Sequence, residues 1–274
     1  MIRNSKLIIG IKKFINLNNT YSLLSQSAEI SFYMITSALS MLVVLVQILN
    51  SNETLFSDFL FSEITKIFSE SFLPLINQMI PKFKLSGFSI IIFINIIWAS
   101  SAVLNKYNKI ADRLYTNTNR NFVINRINSI LLFAMLLAIS IFYLLFVILL
   151  KGWLDSVLFN KIKFANSVFS FLAEISFIFL ILLIIYINAP PIKIKATEAI
   201  FGSLFSALLI YTLFTLFTFF TKSLAIINPA ISITFVLSFS LLFLFCINYL
   251  IILGLLLNYL FSRNWNELIK VKNQ

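Results

Sequence analysis

Histidine is absent from this 274-residue chain, which removes at once the commonest general base and the commonest zinc ligand. Cysteine occurs once, as Cys246. No disulfide framework can form within one chain, and inside its apolar run the thiol reads as a small buried hydrophobe. The five glycines, Gly10, Gly87, Gly152, Gly202 and Gly254, stand too far apart to build a phosphate-cradling loop or a dinucleotide fingerprint. Charge is scarce as well, at 11% of residues against about 25% in soluble domains. Hydrolytic nuclease chemistry usually needs clustered carboxylates to hold metal ions, and the acids here are scattered. These absences predict a protein without metal, cofactor or enzymatic activity.

Apolar residues make up 60% of the chain, including 31 Phe, which excludes an ordinary water-soluble globule. Several runs reach the ~20 apolar residues needed to cross a hydrocarbon core. Six spans are predicted, over 28–49, 86–104, 127–150, 165–187, 199–220 and 231–261. The expected fold is therefore all-α, a polytopic bundle of six transmembrane helices (28–261), with no internal repeat. Residues 1–27 alternate basic and apolar residues without a signal-peptide core, and read as a cytoplasmic amphipathic helix on the membrane surface. Residues 262–274 form a cytoplasmic tail. In the loop 50–85, Phe56, Phe59, Leu60, Ile64, Ile67 and Phe68 recur at helical spacing among acids, predicting an interfacial helical outer loop. The sixth run, at about 46 Å for a straight helix, must tilt, kink or begin as a re-entrant turn.

The net charge of +11 could suggest nucleic acid, but its distribution follows the spans. Of the 21 Lys and Arg, 14 lie before span 1, between spans 2 and 3, between spans 4 and 5, and after span 6. Of the eight acids outside the spans, five (Glu53, Asp58, Glu63, Glu70 and Asp155) lie in the other loops. This bias places both termini in the cytoplasm of a multi-pass plasma (inner) membrane protein. The basic loops then face anionic headgroups of the lipid bilayer, and no nucleic-acid partner is required.

Polar residues inside such spans mark helix interfaces or a hydrated path. In span 1, Glu29, Tyr33, Thr36, Ser37, Ser40 and Gln47 share one face. Asn95, Trp98, Ala102 and Asn105 do so in span 2, and Ser167, Ser170 and Glu174 in span 4. Tyr211, Thr215, Thr218 and Lys222 mark span 5, and Asn248 marks span 6. Gly202 and Ser206 fit a small-residue packing contact. Glu174 is the most demanding of these. In "SVFSFLAEISFIFLILLIIY" it lies about 14 Å below the outer boundary, where an ionised group costs about 2.5–3.5 kcal/mol. It is expected to face a polar cavity of spans 1, 2 and 4, near Tyr33, Ser37, Asn95 and Ser170. The candidates for a substrate or ion path are thus Glu29, Tyr33, Ser37, Asn95, Trp98, Ser170, Glu174 and Asn248.

Three stretches give the chain a family likeness. "AEISFYMITSALSMLV" (28–43) resembles the opening pattern of the YihY/BrkB family of bacterial inner-membrane proteins, once named ribonuclease BN. Phe32, Tyr33 and Ser37 match, and Ser40 stands where the family has proline. "WASSAVLNKYNKIADRLY" (98–115) matches at Trp98, Ser101, Arg113 and Tyr115, with Asp112 replacing asparagine. "GLLLN" (254–258) keeps Gly254 and Asn258 but has Leu256 at the family's glutamate. Pro190 and Gly202 match the linker between spans 4 and 5, whereas Ile231 and Ser232 stand where a Tyr-Gly-Ser turn is usual. The resemblance implies six spans with both termini inside, and Asp112 and Arg113 as gating or structural residues. It also implies transport of a lipid-like or amphiphilic substrate, as a transporter or flippase without its own ATP hydrolysis. The alternative is a non-transporting structural or accessory envelope protein acting through loop 50–85. A ribonuclease is disfavoured by the missing chemistry. Substrate, coupling ion and homo-oligomeric state have no signature in the sequence.

Overall fold

The computed structural model describes residues 20, 22–49, 88–116, 121–154, 163–224 and 229–261, with side chains at 20, 22–38, 40, 94–116, 121–150, 168–221 and 238–261. Most of the amphipathic N-terminal segment, the outer loop 50–85 and the tail 262–274 lie outside the described residues. Among the described residues the chain is all-helical: α1 Leu23–Leu49, α2 Phe88–Tyr115, α3 Phe122–Leu154, α4 Lys163–Asn188, α5 Ala196–Leu224 and α6 Pro229–Phe261. Within α3 to α6, four stretches are long and apolar enough to cross a membrane: Phe122–Leu150, Val168–Asn188, Ala196–Thr221 and Ser238–Phe261. The helices α1 and α2, of 27 and 28 residues, have the length to do so at about 1.5 Å per residue.

Of the alternatives for the sixth run, the re-entrant start is excluded: one helix runs from Pro229 to Phe261, about 50 Å long, which leaves a tilt or a kink. One expectation is corrected. The segment 105–126 is not a loop. Helix α2 continues through Tyr115 and α3 starts at Phe122. The continuation has two faces: Asn105, Asn108, Asp112 and Tyr115 are buried, while Arg113 is exposed and Lys106 and Lys109 are half-buried. Three cations broke the hydropathy run, but at helical spacing they leave the opposite face free to pack.

The helices form a ring in the order α3, α2, α1, α6, α5, α4, with broad interfaces between neighbours. Where α3 and α4 close the ring the packing is much slighter. Chain direction alternates, so α1, α3 and α5 begin, and α2, α4 and α6 end, at one end of the bundle, termed the base. Buried side chains concentrate there and at mid-height, in Leu23–Ser31, Ala99–Tyr115, Leu182–Ala189, Ala199–Ile210 and Asn248–Tyr259. Large apolar side chains such as Leu131, Phe142, Leu149, Phe205 and Phe219 are exposed, the pattern of a bundle whose solvent is lipid.

Candidate functional site

Helices α1 and α2 meet through a polar ladder. Near the base, Lys106 Nζ pairs with Glu29 Oε1. Further up, the hydroxyls of Ser37 and Ser100 lie 2.5 Å apart, and Asn95 Nδ2 donates to Ser40 Oγ at 3.0 Å. The three contacts share one antiparallel register, so Glu29, Ser37 and Asn95 hold α2 to α1. Tyr33 is half-buried against the core and edge-on to Phe32, with centroids 6.0 Å apart. Gln47 has no described side chain.

The base of α2 carries a denser group. Asn108 Nδ2 donates to Ser129 Oγ of α3 at 3.1 Å, and Ser129 in turn donates to the Asn125 carbonyl at 2.7 Å. Arg126 lays its guanidinium 4.0 Å from the Trp98 ring centroid and donates from Nη2 to the Trp98 carbonyl at 2.8 Å. Trp98 is otherwise exposed, so the ring shields the cation from lipid. The Oδ1 atoms of Asn105, Asn108 and Asn125, the Tyr115 hydroxyl and Arg126 Nε are buried without a hydrogen-bond partner among the described residues. Buried polar atoms of this kind are ordinarily met by ordered water or a ligand. Asp112 is buried on the same face, whereas Arg113 points out; the two proposed gating residues occupy opposite environments.

A second polar centre joins α1, α2 and α6. Asn248 is fully buried; its Oδ1 accepts from the Tyr107 hydroxyl, and its Nδ2 donates to Ser31 Oγ at 2.9 Å and to the Leu244 carbonyl at 2.8 Å. One amide therefore ties three helices. On the other side of α6, Gly202 and Gly254 allow α5 and α6 to touch backbone to backbone. A Cβ on Gly202 would meet the Gly254 carbonyl oxygen at 2.3 Å, and one on Gly254 would meet Ser206 Oγ at 2.1 Å. Asn258 uses this closeness: its Oδ1 accepts from the Gly202 amide at 2.7 Å and its Nδ2 donates to the Ala199 carbonyl at 3.2 Å. Ser206 donates to the Leu250 carbonyl at 2.9 Å, and Tyr186 of α4 donates to the Ile251 carbonyl at 2.7 Å. The expected small-residue contact at Gly202 and Ser206 is present, and Leu256 is fully buried beside it.

Glu174 does not occupy the cavity expected of it. Helix α4 packs chiefly on α5 and less on α3 and α6, while α1 and α2 form no comparable interface with it. Glu174 is exposed and Ser170 half-buried, and neither is brought to Tyr33, Ser37 or Asn95. The physical reason is the ring order, which puts α4 across the bundle from α1 and α2. The α3–α4 seam is bridged instead by Tyr143, which donates to the Ala173 carbonyl at 2.7 Å and lies 2.6 Å from the Ser176 hydroxyl. Thr212, Thr215 and Thr218 of α5 return their hydroxyls to their own helix at 2.9, 3.0 and 2.9 Å, so the span 5 stripe crosses to no other helix through them. Tyr211 stands edge-on to Phe171 of α4. The Lys222 side chain and that of Ser167 are outside the described residues.

Sequence reasoning therefore found Asn248 but missed its partners Tyr107 and Ser31, and missed Tyr186, Asn108 and Asn125. Tyr107, Asn108 and Asn125 lay in a stretch read as a loop. The spacing of Asn105, Asn108 and Asp112 at i, i+3 and i+7 was the available signal.

The sequence model of the family described as Virulence factor BrkB matches residues 18–274. No curated protein and no solved structure matches the chain.

Proposed function

We propose, from the premise that the chain belongs to the Virulence factor BrkB family, that this integral membrane protein moves a lipid-like or amphiphilic substrate across the plasma membrane without ATP hydrolysis of its own. All six helices span the bilayer in this reading, with the base of the bundle and both termini in the cytoplasm. Helices α1 and α2 join α6 through Tyr107, Asn248 and Ser31, whose burial in a bilayer is costly unless they pair.

The observation that carries the reading is the seam. Five of the six neighbouring contacts around the ring are broad, and the sixth, between α3 and α4, is slight. A closed bundle that parts most easily on its lipid-facing side suits a substrate arriving from the bilayer. Polar groups meet across that seam, Tyr143 from α3 and Ser176 from α4, where a headgroup would need them. The energetic requirement is small, because interhelical hydrogen bonds in membranes average only about 0.6 kcal/mol each.

The test is a flotation-purified liposome preparation carrying the full chain and a headgroup-labelled phospholipid. Tyr143 and Phe177 meet across the seam as tilted rings with centroids 5.1 Å apart. In a Cys246→Ser background, Tyr143→Cys with Phe177→Cys can be bridged by a short reducible cross-linker. Wild type should speed transbilayer movement, the bridge should stop it, and reduction should restore it. Movement unchanged by the bridge would refute the seam, and folded protein no faster than empty liposomes would refute transport.

A further inference from the structure

Beyond the seam and the polar centres, one pocket opens at the base, where α5 starts and α6 ends. Its volume is about 340 Å³, and Lys195, Thr197, Glu198, Phe201 and Phe261 line it, placing it at the low end of small-ligand sites. The Glu198 amide donates to the Lys195 carbonyl at 2.9 Å, which fixes the turn that brings the two side chains to one wall. Lys195 and Glu198 carry opposite charges, yet among the described residues no ion pair joins them. The opposite wall is aromatic: Phe201 and Phe261 meet with centroids 4.8 Å apart and remain 53% and 63% exposed.

A ligand complementary to this pocket presents an anion to Lys195 and, a short distance away, a cation to Glu198 and the ring faces. It also has an apolar part to cover the exposed rings. An anion alone would meet Glu198, and a cation alone would meet Lys195. We propose that this pocket binds the headgroup of a zwitterionic membrane phospholipid, with the phosphate at Lys195, the ammonium between Glu198 and the phenyl rings, and the glycerol and upper acyl chain against Phe201 and Phe261. The assignment rests on the membrane placement given under the proposed function, and deepens it by naming the headgroup class. It needs no transport, so its test reads binding alone.

Full-length protein, delipidated in mild detergent, is titrated with phosphatidylethanolamine or with phosphatidylglycerol of identical acyl chains, and bound lipid is counted by native mass spectrometry. Wild type should retain phosphatidylethanolamine about fivefold more strongly than phosphatidylglycerol, the scale of one partly exposed charge contact. Glu198→Gln should abolish that preference, and Lys195→Met should weaken both lipids. Neither side chain is in the buried core, so both variants should fold, and an unchanged melting temperature checks this. Equal retention of the two lipids by wild type would overturn the proposal. So would a preference that survives Glu198→Gln, or full displacement of the lipid by millimolar glycerophosphoethanolamine, which lacks acyl chains.

Discussion

At the base and mid-height, α6 meets its neighbours through hydrogen bonds and bare backbone; higher up, among the described residues, α5 and α6 meet through rings. The lower contacts are directional. Asn258 reads the backbone of α5, Tyr186 and Ser206 read the backbone of α6, and Asn248 ties α1, α2 and α6. Above them, Phe217 stacks on Phe243 with centroids 4.4 Å apart and on Phe239 at 6.2 Å, Phe220 tilts against Phe239 at 5.3 Å, and Phe171 is edge-on to Tyr211 at 5.1 Å. Rings tolerate several offsets of similar energy, whereas a buried amide loses about 1–3 kcal/mol when its partner moves away. The comparison teaches that the contact between α5 and α6 is directional at the base and tolerant of small shifts above it.

The largest effect that would break the comparison comes from the glycines. Gly202→Ala and Gly254→Ala each place a Cβ within 2.1–2.3 Å of a neighbouring oxygen, and in each case a backbone carbonyl is among the atoms met. We expect losses of about 3 kcal/mol or more, seen as loss of monodisperse protein or a large fall in melting temperature. A mild effect at both sites would mean that α5 and α6 separate easily at the base.

Next comes Asn248→Leu, which strands the Tyr107 hydroxyl and removes the donor to Ser31. A loss of about 1–2 kcal/mol is expected, with Tyr107→Phe costing less because Asn248 keeps its contacts to Ser31 and Leu244. Thermal melts of both variants and their combination test this, and strict additivity would deny that the two residues form one unit.

In the upper half, Phe217→Leu should cost about 1 kcal/mol, since the remaining rings can shift to fill the space. The smallest effect is assigned to Glu174→Gln, which should leave the melting temperature unchanged because Glu174 is exposed on α4. A clear destabilisation there would show that the carboxylate is held by the bundle after all.

Much of this division could be read in the sequence. The bounds of α1 and of α3 to α6 follow from the apolar runs, and the contact at Gly202 and Ser206 follows from small residues at i, i+4. The stripe on α1 is expected to meet spans 2 and 4, and Glu29, Ser37 and Ser40 do meet α2, but α4 does not join them. Which residues touch depends on ring order, and nothing local to span 4 reveals that α4 stands opposite α1. The base of α2 was missed for a different reason: its buried face mixes Asn105, Asn108 and Asp112 with Ile110, Ala111 and Leu114, so mean hydropathy does not separate it from a charged loop and only the helical spacing does. Tyr107 and Tyr186 were invisible because a tyrosine near a helix end ordinarily marks the membrane interface.

The most direct measurement of an α5–α6 contact directional at the base and tolerant above it is hydrogen exchange on the full chain in lipid nanodiscs, resolved by peptide. The account predicts that amides of Gly202–Ala207 and Gly254–Asn258 exchange at least about tenfold more slowly than those of Thr215–Thr221 and Ser238–Phe243, because local opening there must break side-chain bonds to a second helix. Equal protection in the two halves, or faster exchange at the glycine crossing, would contradict it.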